Sequence, residues 1–151
     1  MKVIFLDVDG VLNTFHTTRM TRSGCTFVDN RKVDRLAKII ACTGAKVVLS
    51  SDWRYDRSVP GLNDDLNELI CLLKTRNVSL FGYTPEIDDN RGKEITKWLY
   101  EHPDVESFVI LDDRSDMGQL SGRLIQTSPK DGLTENLAQQ AISMLMEGES
   151  V

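Results

Sequence analysis

Lys2-Val3-Ile4-Phe5-Leu6-Asp7-Val8-Asp9-Gly10-Val11-Leu12 opens the chain, and its reading decides the rest. A short run of Val, Ile, Phe and Leu reads as a buried strand. It stops at two aspartates two residues apart. A persisting strand period would point both side chains the same way. Asp7 and Asp9 would then lie close together at the strand's C-terminal end, with Gly10 permitting a sharp turn. Carboxylates that close repel each other and raise a pKa unless a cation sits between them. The stretch therefore predicts either a metal or a shared proton.

Beyond it, Asn13 to Val28 is polar and lacks periodicity, which predicts a loop or a small hairpin flap. Asp29 or Asn30 starts a helix with Val33, Leu36, Ala37, Ile39 and Ile40 inward, and Gly44 ends it. Lys46 to Ser50 is a second buried strand running into Ser51-Asp52-Trp53-Arg54. Strand, helix, strand implies a right-handed crossover and a parallel pair. Ser50 then reaches the same sheet edge as Asp7, where open α/β sheets bind ligands. Ser58 to Leu62 reads as a loop with Pro60 and Gly61, and Asn63 as the cap of a helix burying Leu66, Leu69, Ile70 and Leu73. Val78 to Phe81 is a third strand.

A helix follows Asn90, with Ile95, Trp98 and Leu99 inward and Arg91 and Lys93 in its first turn. Cations are unfavourable at a helix N-terminus, so they point to an anion nearby or to plain surface solubility. Phe108 to Leu111 is a fourth strand, ending at Asp112-Asp113-Arg114-Ser115-Asp116. Arg123 to Thr127 is a short fifth strand. Pro129 and Gly132 turn the chain into a last helix. The alternation predicts an α/β fold, a doubly wound, Rossmann-like, mostly parallel five-stranded sheet.

A length of 151 residues suits a single domain spanning 1–151. The apolar share of 40% and charged share of 27% are those of a soluble globular protein. A net charge of -5 supplies no global basic field for nucleic acid or membrane. No segment is long enough to span a bilayer. Cys25, Cys42 and Cys71 form no CxxC pair, so neither zinc nor a disulfide framework is indicated. Unpaired thiols suit a reducing cytoplasm.

Carboxylates with no His or Cys nearby make a hard, oxygen-only site that selects Mg²⁺. Ser50 and a cationic Arg91 or Lys93 would supply a donor and a charge for phosphoryl oxygens. Asp is also a phosphoryl-accepting nucleophile. The set argues for phosphate monoester chemistry.

These four motifs, from Asp7-Val8-Asp9-Gly10-Val11-Leu12 through Ser50 and the basic helix start to Asp112-Asp113, resemble those of the haloacid dehalogenase (HAD) superfamily. Ser50-Ser51-Asp52-Trp53-Arg54, Thr84-Pro85, Arg91-x-x-Glu94-Ile95, Leu111-Asp112-Asp113-Arg114 and Gly132-Leu133-Thr134 are similar to the HAD module of RNA-repair proteins and to the phosphatase half of polynucleotide kinase-phosphatases. The resemblance implies that Asp7 attacks phosphorus and that Asp9 protonates the leaving oxygen and then activates water. It places Mg²⁺ on Asp7, the Asp9 backbone carbonyl and Asp112 or Asp113, with Asp116 the alternative second acid. Ser50, Ser51, Arg54 and Arg91 or Lys93 are the phosphate-binding candidates. It also implies no cap domain, and so an open site suited to chain-end substrates such as nucleotides or polynucleotide 3′-ends.

Arg19, Arg22, Arg54, Arg57 and Arg114 form either a phosphate track or scattered surface charge. Trp53 either stacks on a base or packs under the site. The competing functions are a broad-specificity small-metabolite phosphatase and a non-catalytic phosphate- or nucleic-acid-binding module.

Overall fold

The computed structural model describes residues 1–54 and 64–147. The expected loop at 58–62, the cap Asn63 and the arginine Arg57 lie outside the described residues. The chain runs β1 (Lys2–Leu6), α1 (Asn30–Thr43), β2 (Lys46–Leu49), α2 (Asp64–Lys74), β3 (Leu80–Tyr83), α3 (Arg91–Glu101), β4 (Ser107–Asp112), β5 (Leu124–Gln126) and α4 (Glu135–Leu145). Two short 3-10 turns, Asp52–Arg54 and Gly118–Arg123, were not expected. The strands lie in the order β3-β2-β1-β4-β5 and every adjacent pair is parallel. No cap domain is inserted among the described residues, and the sheet has the doubly wound, Rossmann-like α/β arrangement.

Strand β1 is central and covered on both faces, so its side chains alternate between two apolar layers. Ile4 and Leu6 join Val47, Leu49, Val109 and Leu111 against α1, α2 and α4. Val3 and Phe5 join Val48 and Ile110 against Ile95 and Trp98 of α3. Phe5 meets Trp98 edge to face, with centroids 5.4 Å apart. This two-sided burial is why β1 reads as a continuous apolar run. Helix α1 buries Val33, Leu36 and Ile39 at helical spacing. It ends where Gly44 takes φ 71° and donates its N–H to the Ile40 carbonyl.

Registers along β1 decide what meets at the sheet edge. Leu6 lies opposite Leu49 of β2 and Leu111 of β4. One step on, Ser50 N–H donates to the Leu6 carbonyl (2.8 Å) and Asp7 N–H to the Leu111 carbonyl (3.0 Å). Asp7, Ser50 and Asp112 therefore stand abreast. The chain goes from β1 to β2 and β3 on one side and to β4 and β5 on the other. The crevice lies at that switch point.

Three local expectations are corrected. The third strand begins at Leu80, not Val78. Asn77 takes φ 59° and Val78 N–H bonds back to the Leu73 carbonyl at 3.0 Å, so Val78 finishes the end of α2. The fifth strand begins at Leu124, because Arg123 closes the preceding 3-10 turn. The strand period also does not persist to Asp9. The Val8 carbonyl accepts from both Val11 (3.1 Å) and Leu12 (2.8 Å), so the chain coils into a turn after Asp7. Residues 13–28 form a small hairpin flap closed by the Met20–Thr26 bridge. The flap is tied to α2 by Ser23 Oγ donating to Asp65 at 2.7 Å.

Candidate active site

Three carboxylates converge at the crevice. One oxygen from each of Asp7, Asp112 and Asp113 lies within 4.8 Å of the other two. Asp7 and Asp112 are buried, and Asp113 is partly exposed. The partner of Asp7 is thus Asp112, one strand over, rather than Asp9. Burial and then the Asp112 charge push the Asp7 carboxyl far above the usual carboxylate range, against the pull of Arg91. Asp112 is raised less, by burial, with Arg91 opposing. Both shifts favour the protonated form of the pair when no cation lies between the two carboxyls.

Arg91 is the cation brought to this pair. Its Nε lies 3.2 Å from Asp112 Oδ2, Nη2 lies 4.0 Å from Asp7 Oδ1, and Nη1 donates to the Ser50 carbonyl at 2.6 Å. The start of α3 is held in place by its own caps. Asn90 Oδ1 accepts from Lys93 N–H at 3.0 Å, and Asp116 Oδ2 accepts from Arg91 N–H at 3.1 Å. Lys93, the alternative cation, is 60% exposed and pairs with Asp88 at 3.4 Å on the surface.

Three buried atoms at the site make no aligned hydrogen bond. Arg91 Nε and Asp112 Oδ2 face each other at 3.2 Å as an ion pair, whereas Ser50 Oγ has no partner. Buried polar atoms in native proteins are nearly always satisfied, so open ones call for a ligand. An all-oxygen cluster of three carboxylates beside a free hydroxyl fits a hard divalent cation and a phosphoryl group.

Asp9 is exposed at the mouth of the crevice. Its Oδ1 accepts from Asn13 Nδ2 (2.9 Å) and its Oδ2 from Trp53 Nε1 (3.2 Å). Asp116 is taken up by α3 and by Arg114, whose Nε donates to it at 2.9 Å. Asp116 stands outside the carboxylate cluster. Ser51 is buried, and its Oγ accepts from Trp53 N–H at 3.2 Å. Arg54 is buried in an ion pair with Glu94 at 2.8 Å and donates to the Ser51 carbonyl at 2.6 Å. Arg19 lies over the Phe27 ring, Arg22 pairs with Glu68, and Arg114 pairs with Asp89 as well as Asp116. Each of these three arginines thus has a partner within the protein.

Four roles escaped the sequence reading. Glu94 neutralises Arg54 and accepts from Ile87 N–H at 3.1 Å. Gly92 lets α3 approach the loop after β4: an added Cβ would stand 2.7 Å from the Met117 carbonyl oxygen. Asn13 and the indole N–H of Trp53 carry no local pattern that marks them as partners of Asp9.

Outside the carboxylates lies an open cleft of about 1040 Å³ between the flap, Trp53, the start of α2 and Pro129. Asp9, Asp52, Asp65 and Asp113 line it, with Phe15 and Trp53, and no Lys or Arg does so among the described residues. Phe15 is 79% exposed.

Gly10 closes the site from below. It takes φ 81°, and an added Cβ would stand 2.5 Å from Asp113 Oδ2. Gly10→Ala is therefore expected to cost roughly 1–3 kcal/mol through the left-handed backbone and displacement of Asp113. Urea unfolding reads this, and an unchanged midpoint would contradict it.

The family model that describes the HAD domain in Swiss Army Knife RNA repair proteins matches residues 3–138. No curated protein matches the chain.

Proposed function

The chain belongs to the family of HAD domains found in Swiss Army Knife RNA repair proteins, and from that premise we propose a Mg²⁺-dependent phosphomonoester hydrolase working through an aspartyl-phosphate on Asp7. The observation that carries the reading is the convergence of Asp7, Asp112 and Asp113 beside the open hydroxyl of Ser50. Family membership implies hydrolase-type activity on a phosphorylated substrate. The whole chain, 1–151, acts in this proposal as one such domain in a reducing cytoplasm. No helix among the described residues is long and apolar enough to cross a membrane.

Asp7, Asp112 and Asp113 are proposed to hold Mg²⁺, with the Asp9 backbone carbonyl, and Asp116 is left to cap α3. Bound Mg²⁺ supplies positive charge against the phosphoryl oxygens and keeps Asp7 ionised. Asp7 attacks phosphorus, the bond to the leaving oxygen breaks, and Asp9 gives that oxygen a proton. Asp9 then takes a proton from water, which attacks phosphorus and frees Asp7. Ser50 Oγ donates to a phosphoryl oxygen. Arg91 neutralises the carboxylate pair and orients Asp7. Arg54 and Ser51 hold the strand end rather than the phosphate, and Lys93 stays in solvent.

The proposed substrate is a nucleotide or a polynucleotide 3′-end, because the family description names RNA repair and the cleft is open enough for a chain end. The acid-lined cleft favours the rival small-metabolite reading. Phosphate release from nucleotides, 3′-phosphorylated oligonucleotides and sugar phosphates separates the two. Preference for the sugar phosphates would sink the nucleic-acid substrate.

Metal also links to stability. Asp7 and Asp112 have folded pKa values raised above those of the unfolded chain, to about 9 and about 6. A raised carboxyl contributes stability that is full below its unfolded pKa and is lost as pH rises through its folded pKa. Metal-free protein should therefore lose stability between pH 5 and 9 (roughly that window). Saturating Mg²⁺ should flatten the slope and raise Tm near neutrality by roughly 5–10 °C. Thermal melts with Mg²⁺ and with chelator check this, and coincident curves would contradict metal binding.

A further inference from the structure

Resting on the reading of Asp9 as the acid and base, we infer that Trp53 and Asn13 are positioning residues that hold the Asp9 carboxylate by both of its oxygens. Asn13 Nδ2 donates to Oδ1 at 2.9 Å, and Trp53 Nε1 donates to Oδ2 at 3.2 Å. The donors come from different parts of the chain: Asn13 from the turn after β1, Trp53 from the 3-10 turn after β2.

Each donor is fixed before it meets Asp9. Asn13 is buried, and its Oδ1 accepts from Gly10 N–H at 3.0 Å. That bond orients the amide and leaves Nδ2 facing Asp9. The indole N–H is a donor only, so it must face an acceptor. The Trp53 ring stacks on Phe27 with centroids 6.4 Å apart and planes at 23°, and its backbone N–H donates to Ser51 Oγ.

The reaction explains why such a clamp matters. Asp9 is exposed and lies beyond the β1 ladder, where a free carboxylate samples several rotamers. It must meet one position twice, first occupied by the leaving oxygen and then by water. Each carboxylate oxygen has two lone pairs, so each keeps one free after accepting its bond. The clamp therefore holds Asp9 in place without consuming its capacity for proton transfer. A misplacement of about 1 Å costs on the order of 100-fold in rate.

Trp53→Phe keeps an aromatic ring against Phe27 and removes the donor. Its signature is in the leaving group. An aryl oxide departs with little help from a proton, whereas an alkoxide needs one. The value of kcat/KM reports the steps through loss of the leaving group. It should fall about 10- to 100-fold for an alkyl phosphate and less than about 3-fold for p-nitrophenyl phosphate. The aryl ester should also give a burst of one nitrophenol per chain, because slowed water attack lets the phosphoenzyme build up.

Asn13→Ala should show the same pattern, with folding read by thermal melting; if that variant unfolds, Trp53→Phe decides. Equal losses on the two esters, or no loss on either, would overturn the clamp. Asp7→Asn keeps the two readings apart. If that variant is inactive while Trp53→Phe affects both esters equally, the clamp alone fails. If it still turns over, the phosphatase reading fails.

Discussion

Asp7→Asn is expected to remove turnover of every phosphate monoester, by on the order of 10⁴-fold or more, while making the metal-free protein more stable. The loss follows because an amide cannot form the acyl phosphate. The gain follows from burial: Asp7 is 5% exposed, beside Asp112, and its carboxyl is pushed up to about 9. At neutral pH the folded state must hold a proton there that the unfolded chain has given up, so folding is penalised. An isosteric amide removes that penalty, and roughly 1–3 kcal/mol of extra stability should appear in urea unfolding with chelator near pH 8. A drop in stability, or undiminished turnover, would contradict the assignment. The proposed nucleophile thus sits in a position that its own fold tolerates poorly, as active sites commonly do.

Arg91→Met is expected to have the second-largest effect, on stability and activity together. The guanidinium is 3% exposed and lies against Asp112, Asp7 and the Ser50 carbonyl. Methionine keeps much of the volume and removes the charge, leaving buried carboxylates without their counter-ion. Breaking such an arrangement costs roughly 3–5 kcal/mol. The raised values of Asp7 and Asp112 set its pH dependence. Near pH 5 both carboxyls are mostly protonated in the folded state and need less compensation, so the penalty should shrink there. Urea unfolding at pH 5 and pH 8 reads both. A variant as stable as wild type at pH 8 would show that Arg91 does not neutralise the pair.

Much of this site was legible because parallel sheets deliver strand ends to one edge. Asp7, Ser50 and Asp112 each follow an apolar run, and registers through Leu6 bring them abreast. Strand order was not legible, since nothing in a single sequence says that β4 pairs directly with β1. Strand period alone therefore pairs Asp7 with Asp9; the family resemblance puts Asp112 or Asp113 on the same metal as Asp7, and the sheet places Asp112 one strand over from it. Period-two reasoning failed at Asp9 for a local reason: the Val8 carbonyl captures two amides and the strand ends in a turn.

The choice between Arg91 and Lys93 also needed the fold. Both sit in the first turn of α3, but side-chain direction sends one inward to the carboxylates and the other to Asp88. Arg54 looked like a phosphate ligand next to Ser50 and Ser51. In the fold it pairs with Glu94, which is distant in sequence. Partnerships that cross the sheet leave no spacing in the sequence.

The most direct measurement is an acid quench during Mg²⁺-supported turnover of a phosphate-labelled monoester, followed by peptide mapping. Up to one labelled phosphoryl group per chain is expected, labile to hydroxylamine, on the peptide that carries Asp7. Phosphate release with no label trapped under burst conditions, or with label on a peptide lacking Asp7, would contradict this expectation.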